Sequence, residues 1–396
     1  MQMKTAMQQA TNIRLGDICT FMNGGTPSKS VPRYFAGNIP WITGADILDS
    51  VVKSARSFIT EEGIANSATN RVPAGTVLLV TRTSVGKVAI AGIELCYSQD
   101  ITALKPDLSK VTVDYLVQFL RTQEAYFKRR SRGATIKGVT KAVLENLEIP
   151  LPPIAQQKRI AAILDKAEEL RGLRRKALGE LDAIVQSIFL EMFGDPVTNP
   201  KGWERKVCKS LCSRITVGIV VQPASHYKEK GVPALRSLNI KQNWISMDNL
   251  VFFSQSDNET KLSKTRVKAG DVVLIRTGQP GTAAVIPDEL DGVNTIDLLI
   301  TTPRQDVVDS VYLCHFFNSS SGKQLVLSSQ VGQIQKHLNV GILNESLVLL
   351  PPLSLQQEFA RRVEAIEHLK ATHRESLAQL DALFTSLQHR AFRGEL

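Results

Sequence analysis

Leu151-Pro152-Pro153-Ile154-Ala155-Gln156-Gln157 returns near the end of the chain as Leu350-Pro351-Pro352-Leu353-Ser354-Leu355-Gln356-Gln357. Each copy opens a long stretch with apolar residues in steps of three and four. The first runs Ile160, Ile163, Ala167, Leu170, Ala177, Leu181, Ile184, Ile188, Met192, and the second Phe359, Val363, Ile366, Leu369, Leu377, Leu380, Phe384, Leu387. That spacing predicts a helix with one apolar seam, the pattern of coiled-coil packing. Prolines are tolerated at the start, where the first N–H groups have no intrahelical partner, and Gly194-Asp195-Pro196 predicts the stop of the first helix. A helix of about 37 residues is roughly 55 Å long at 1.5 Å per residue.

The two helices belong to a duplication. Arg71-Val72-Pro73-Ala74-Gly75-Thr76-Val77-Leu78 recurs as Arg266-Val267-Lys268-Ala269-Gly270-Asp271-Val272-Val273, with Gly86 falling on Gly281. Tyr115-Leu116 with Phe119-Leu120 recurs as Tyr312-Leu313 with Phe316-Phe317, Gly133 falls on Gly332, and Leu181-Asp182-Ala183 returns as Leu380-Asp381-Ala382. Such ordered matches are the mark of an internal repeat. Ahead of each long helix, short β-type runs at Val77 to Val80 and Val88 to Ala91, and at Val272 to Ile275 and Ala283 to Ile286, flank turn residues and predict hairpins. One further helix is expected in each copy, at Val113 to Arg130 and at Val308 to Leu327. The expected fold is therefore α+β, with globular regions at residues 1–150 and 196–349, a central helix in 151–195 and a C-terminal helix in 350–396. Two such helices in one chain are expected to pair as an antiparallel coiled coil. The alternative is that each packs only on its own globular region.

The 396 residues carry 48 Lys and Arg against 38 Asp and Glu, a net charge of +10 that favours a polyanionic partner. No apolar run suits a membrane span and the start does not resemble a signal peptide, so a cytoplasmic protein without membrane contact is expected. Five scattered cysteines, Cys19, Cys96, Cys208, Cys212 and Cys314, are expected as reduced thiols. Cys208 and Cys212 lack the second ligand pair that a zinc site needs. The six histidines form no helical metal-ligand pair, and there is no nucleophile elbow, P-loop or dinucleotide fingerprint. Gly24-Gly25-Thr26-Pro27 is expected to be a turn. The chain is expected not to be an enzyme and to hold no metal or cofactor.

Polar and basic clusters remain. Lys128-Arg129-Arg130, with Arg132 and Lys137, suit phosphates and the counterion release that follows such contacts, although a solvated helix end carries the same charges. The loops Lys29 to Tyr34 and Thr81 to Lys87 combine side chains able to reach base edges and backbone oxygens. The candidate DNA contacts in the first region are Lys29, Arg33, Tyr34, Thr43, Arg82, Thr83, Ser84 and Lys87. In the second they are Gln222, His226, Tyr227, Lys228, Arg236, Arg276, Thr277 and Gln279. Unlike tips on one frame suit two modules reading unlike sequences, and ordinary loop drift gives the same contrast. The run Arg171, Arg174, Arg175, Lys176 either faces DNA or forms the polar side of the coiled coil, balanced by Asp165, Glu168, Glu169, Glu180 and Asp182.

Three elements carry a resemblance along essentially the full length. They are Gly24-Gly25-Thr26-Pro27-Ser28 leading to Ile39-Pro40-Trp41-Ile42, the repeated Leu-Pro-Pro with its helix, and Met192-Phe193-Gly194-Asp195-Pro196 through Asn199-Pro200-Lys201-Gly202-Trp203. With them the chain resembles the specificity subunit of type I restriction-modification enzymes. The resemblance implies that each globular region is a target recognition domain and that the helices pair, hold the domains apart and dock methyltransferase subunits. It further implies a bipartite, asymmetric site on double-stranded DNA, with the helices as a ruler for half-sites about one turn, roughly 34 Å, apart. Two methyltransferase subunits would bring S-adenosylmethionine and flip one adenine per half-site for N6 methylation, and restriction subunits would bring ATP and Mg chemistry. The second copy departs from the pattern, opening with Val217-Gly218-Ile219-Val220-Val221-Gln222-Pro223. A coiled-coil adaptor that touches no nucleic acid, and a self-contained methyltransferase, are the competing functions.

Overall fold

Val77–Val80 is buried at every position, as befits a strand covered on both faces. Val77 and Leu79 enter one core with Leu104, Tyr115 and Phe119, while Leu78 and Val80 enter another with Ile42, Ala89 and Ala103. The computed structural model describes residues 11–131, 138–221, 223–327 and 337–396. It places this strand in a five-stranded sheet ordered Cys19–Asn23, Ile101–Pro106, Val77–Val80, Val88–Ala91, Val51–Val52. A second sheet, ordered Ser57–Ile59, Ile39–Ile42, Leu95–Tyr97, Arg71–Val72, packs on one face through Ile42, Val72, Leu95 and Tyr97. Helix Val113–Thr122 covers the other with Tyr115, Leu116, Phe119 and Leu120.

The chain divides into two compact units, one running to Arg175 and including Glu375–Leu396, the other Lys176–Arg374. The second repeats the first. Its four-stranded sheet is ordered Cys212–Val217, Leu298–Pro303, Val272–Ile275, Ala283–Val285, with a three-stranded sheet of Val251–Phe253, Val232–Leu235, Asn294–Thr295. Val272 and Leu274 point into one core, Val273 and Ile275 into the other. Both expected hairpins form, antiparallel. The fold is α+β with an internal duplication.

Each long helix serves both units. The first, Ile154–Phe193, and the second, Leu353–Ala391, follow the two Pro-Pro steps. In the first unit Ile160, Leu164 and Ala167 share a core with Phe384 and Ala391. In the second, Val185, Phe189, Met192 and Phe193 share one with Phe359 and Val363. In the second unit Asp182 meets Lys370 and Phe189 meets Phe359, so the two helical segments there run antiparallel, and in the first unit Arg171 meets Asp381. Pairing between helices and packing on the globular regions thus occur together.

Four local expectations are corrected. The helix expected over Val113 to Arg130 is two, Val113–Thr122 and Glu124–Arg130, because the backbone leaves the helical region at Gln123. The helix expected over Val308 to Leu327 is Ser310–Asn318 and Ser320–Leu327, with Ser319 accepting from Gly322 N as the cap of a fresh helix. On the long helices the expected seam is buried at Ile160, Ala167, Met192, Phe359, Val363 and Phe384, but in the first helix burial also moves by one residue to Leu164, Val185 and Phe189, and Leu170, Ile184 and Leu369 are exposed. Near its ends each helix must meet both a helix and a globular region, which takes a wider face than a coiled-coil stripe.

Gly24-Gly25 is not a turn but a close crossing. Gly24 N donates to Ile101 O and Gly25 N to Tyr97 O, and a Cβ on Gly24 would stand 2.1 Å from Ser98 O. In the second unit Gly218 N donates to Leu298 O and Ile219 N to Thr295 O, with the same crowding at Gly218, where a Cβ would lie 2.4 Å from Thr295 O. The two openings that look unlike in sequence are therefore the same backbone device, in which only the first glycine is retained.

Candidate nucleic-acid interface

The tip between Val77–Val80 and Val88–Ala91 exposes Arg82, Thr83 and Ser84. Thr83 sits at φ +62, where the second unit has Gly278 at φ +87. A β-branched residue in the left-handed region is strained, and such strain is held only where the surroundings impose it. Lys87 Nζ donates to Ile47 O at 3.2 Å, and a Cβ on Gly44 would lie 3.5 Å from Thr83 Oγ1, so the loop after Ile39–Ile42 lies against this tip. In that loop Thr43 donates to Asp46 through both its N–H and its hydroxyl, each at 2.8 Å. Burial pushes the Asp46 carboxyl up, but the bonds from Arg56 and Thr43 outweigh it and hold the group below its ordinary value. The chain returns to the tip at Val139, whose N–H donates to Thr81 O at 2.8 Å.

Lys29, Arg33 and Tyr34 belong to a different neighbourhood. Lys29 is exposed, while Arg33 lies 2.9 Å from Glu62 and over the Tyr34 ring, beside the turn at Thr60. The structure thus groups Thr43, Arg82, Thr83, Ser84 and Lys87, and places Arg33 and Tyr34 against the helix Glu61–Ala65.

In the second unit Arg276 Nη1 donates to Asp297 Oδ1 at 2.5 Å, and His337 lies 2.9 Å from both Arg276 and Thr277. Gln279 is exposed beside them. Arg236 donates to Asn249 O and holds its own loop, in the place that Thr43 occupies in the first unit. His226 and Tyr227 pack against Phe253, with His226 Nδ1 3.7 Å from Asp257, and Lys228 is exposed. Arg132, Lys137 and Gln222, with Gly133 and Gly332, lie outside the described residues. Lys128 pairs with Glu124 and Arg130 lies over Tyr126. Arg171 and Arg175 pair with Glu168 and Asp381, which favours the coiled-coil reading of that run over a DNA-facing one.

Sequence reasoning passed over three residues at these tips: Arg56, which donates to Asp46; His337; and Lys323, which donates to Thr282 at 3.2 Å. Arg56 stands in a basic stretch with Lys53 that was legible. His337 had no local signal, since its place follows from Leu338 N donating to Arg276 O. Among the described residues no group of three or more His, Cys, Asp or Glu could hold a metal, and no helix is long and apolar enough to cross a membrane.

Residues 7–181 match the family model described as type I restriction modification DNA specificity domain. Over 97% of its length the chain is 23% identical to the type I restriction enzyme MjaIX specificity subunit of Methanocaldococcus jannaschii, of which it covers 92%. The first repeat and part of the first long helix thus match that family's specificity domain, and nearly the whole chain is similar to a specificity subunit of a type I restriction enzyme. A segment covering 39% of the chain is 32% identical to 40% of the EcoR124I/EcoR124II specificity subunit of Escherichia coli. The crystal structure of a type I restriction-modification S subunit from M. genitalium shares the fold, with a TM-score of 0.57 at 13% identity over 99% of this chain and 98% of that one. The matched specificity domain spans the first repeat and ends inside the first long helix, so the second repeat carries the same architecture again.

Proposed function

We propose that this chain is the sequence-reading, non-catalytic subunit of a DNA adenine-N6 methyltransferase and type I restriction complex. Residues 1–150 and 196–349 act as two target recognition domains, each reading one short block of double-stranded DNA, so the site is bipartite and asymmetric. The observation that carries this reading is one framework built twice with unlike tips. Thr83 and Ser84 stand where the other unit has Gly278 and Gln279, and Gly138 where it has His337. Loops on a rigid scaffold change what is read without changing the fold. The charge of +10 suits the phosphate backbone. The exposed Lys29, Arg82, Thr83, Ser84, Lys228, Thr277 and Gln279 are the contacts best supported, while Arg33, Thr43, Arg236 and Arg276 already have partners within the chain.

The helical parts, residues 151–195 and 350–396, dock two methyltransferase subunits, on which restriction subunits assemble, and set the spacer between half-sites. S-adenosylmethionine, ATP and Mg belong to those partners. The test is single-molecule sequencing of DNA from cells expressing this chain with its neighbouring methyltransferase, against cells lacking only this chain. Methyladenine on both strands of one split asymmetric motif is expected. No difference between the two would favour a coiled-coil adaptor instead.

A further inference from the structure

Three bonds at the hairpin tip of the second unit divide the work of its side chains. Arg276 Nη1 donates to Asp297 Oδ1 at 2.5 Å, Arg276 Nη2 lies 2.9 Å from His337 Nε2, and Thr277 Oγ1 lies 2.9 Å from His337 Nδ1. A guanidinium only donates, so His337 Nε2 accepts and the ring proton sits on Nδ1. Nδ1–H then donates to Thr277 Oγ1. The hydroxyl is occupied as an acceptor by the ring, and its own hydrogen is left to an acceptor on the other side. Thr277 is exposed and no other described residue bonds its hydroxyl, which leaves that hydrogen open to an acceptor outside the chain.

The surrounding charge selects the kind of acceptor. Arg276 is only 15% exposed and is matched by Asp297, which is 47% exposed. The Arg276–Asp297 pair is neutral as a whole, Lys323 is directed at Thr282 rather than Thr277, and a carboxylate beside the pair repels a phosphate. A neutral donor in that setting suits an acceptor on a base edge, such as a purine N7, guanine O6 or thymine O4 in the major groove. The first unit has no counterpart. Val139 N donates to Thr81 O as Leu338 N does to Arg276 O, which sets Thr81, Arg82 and Gly138 where the second unit has Arg276, Thr277 and His337.

We infer that Thr277 is a specificity-determining residue of the second recognition domain, its hydroxyl donating to one base, with His337 its positioning residue and Arg276 a tie to Asp297 rather than a DNA contact. The inference rests on the DNA-reading function proposed above. The test maps methylated sites by single-molecule sequencing for the complex of the full chain with its methyltransferase partner. Thr277→Val keeps the shape and removes the hydrogen, and is expected to relax discrimination at one position of one half-site roughly three- to tenfold, leaving the other half-site unchanged. Thr277→Ser is expected to keep the preference. His337→Ala is expected to relax the same position, and His337→Gln, which offers both a donor and an acceptor, to restore it in part. An unchanged motif in Thr277→Val overturns the inference, as does a uniform loss of methylation with the motif intact or a change in the other half-site. A wild-type complex with no motif at all overturns the DNA-reading function itself, and the inference with it.

Discussion

Arg171 Nε lies 2.6 Å from Asp381 Oδ1, and the chain makes the same pair again with the repeats exchanged, Lys370 Nζ lying 2.6 Å from Asp182 Oδ1. Glu168 joins Arg171 and Arg175, as Glu367 joins Lys370 and Arg374. The recurrence of Leu181-Asp182-Ala183 as Leu380-Asp381-Ala382 is therefore a recurrence of a contact, in which the aspartate of each repeat meets a cation of the other.

Arg171 is mostly buried, over the Phe384 ring at 4.4 Å, so Arg171→Met is expected to lower stability by about 1–3 kcal/mol. Asp381→Asn, being half exposed, should cost less. In urea unfolding the double variant should fall short of the sum of the two by about 0.5 kcal/mol or more. Strict additivity would show that the pair is not coupled.

Gln157 and Gln356 occupy one structural position, although the sequence alignment of Gln156-Gln157 with Gln356-Gln357 sets them a residue apart. Each is fully buried, accepts from the backbone N–H of a helix cap, Thr112 or Asp309, and donates back to Pro152 or Pro351. Removing either side chain strands a buried N–H and costs about 1–3 kcal/mol. Gln157→Ala should thus destabilise more than Gln156→Ala, and Gln356→Ala more than Gln357→Ala. Thermal melts of the four variants check the order, and equal losses would reject the shared position.

Thr83 holds in the left-handed region a backbone that the other repeat gives to glycine. Thr83→Gly relieves strain worth about 1–3 kcal/mol and gives back about 0.5–1 in chain entropy. The expected result is a stability equal to wild type or higher, together with weaker methylation of the first half-site. A clear loss of stability would mean that the threonine is held by contacts rather than against strain.

The hairpins were legible because their signals are local: short continuous apolar runs on either side of the turns that end at Gly86 and Gly281. The repeat was legible because its matches are collinear. The helix breaks at Gln123 and Ser319 were not, since the apolar period runs through both and only the backbone angles mark them. At the candidate site, exposure of Arg82, Thr277 and Gln279 followed from their place at turns. The loss of Arg276 to Asp297 did not, because the carboxylate arrives on another strand-end, held at φ +52.

A spacer set by the helices predicts that their length changes the gap and nothing else. Four residues add about 6 Å of helix, roughly two base-pair rises. One block after Lys176 and a matching one after Glu375 fall between the two ion pairs, so both Arg171–Asp381 and Lys370–Asp182 are kept. Methylation mapping should return both half-site sequences intact with a longer gap, and an unchanged gap would remove the ruler from the proposal.

His315 gives the second unit a pH dependence. Burial, and then the Lys370 charge, push its imidazole down to about 4, against a smaller opposing effect of Asp182, while its ring meets Phe359 edge-on at 5.2 Å. The folded ring stays neutral where the unfolded one, near 6.5, takes up a proton. Between about pH 6.5 and 4 the unfolded state binds more protons, so stability falls with pH across that window and the loss is complete below 4. Its size is up to about 3 kcal/mol. His315→Gln removes this component, so the stability difference between wild type and variant should narrow or reverse as pH falls from 7 to 4.5. Carboxylates such as Glu358, held low by Arg361 and Arg362, lose their contribution only as pH falls from their ordinary range downward, and do so equally in both proteins. A difference that stays constant from pH 7 to 4.5 would mean that the folded protein protonates His315 as readily as the open chain does.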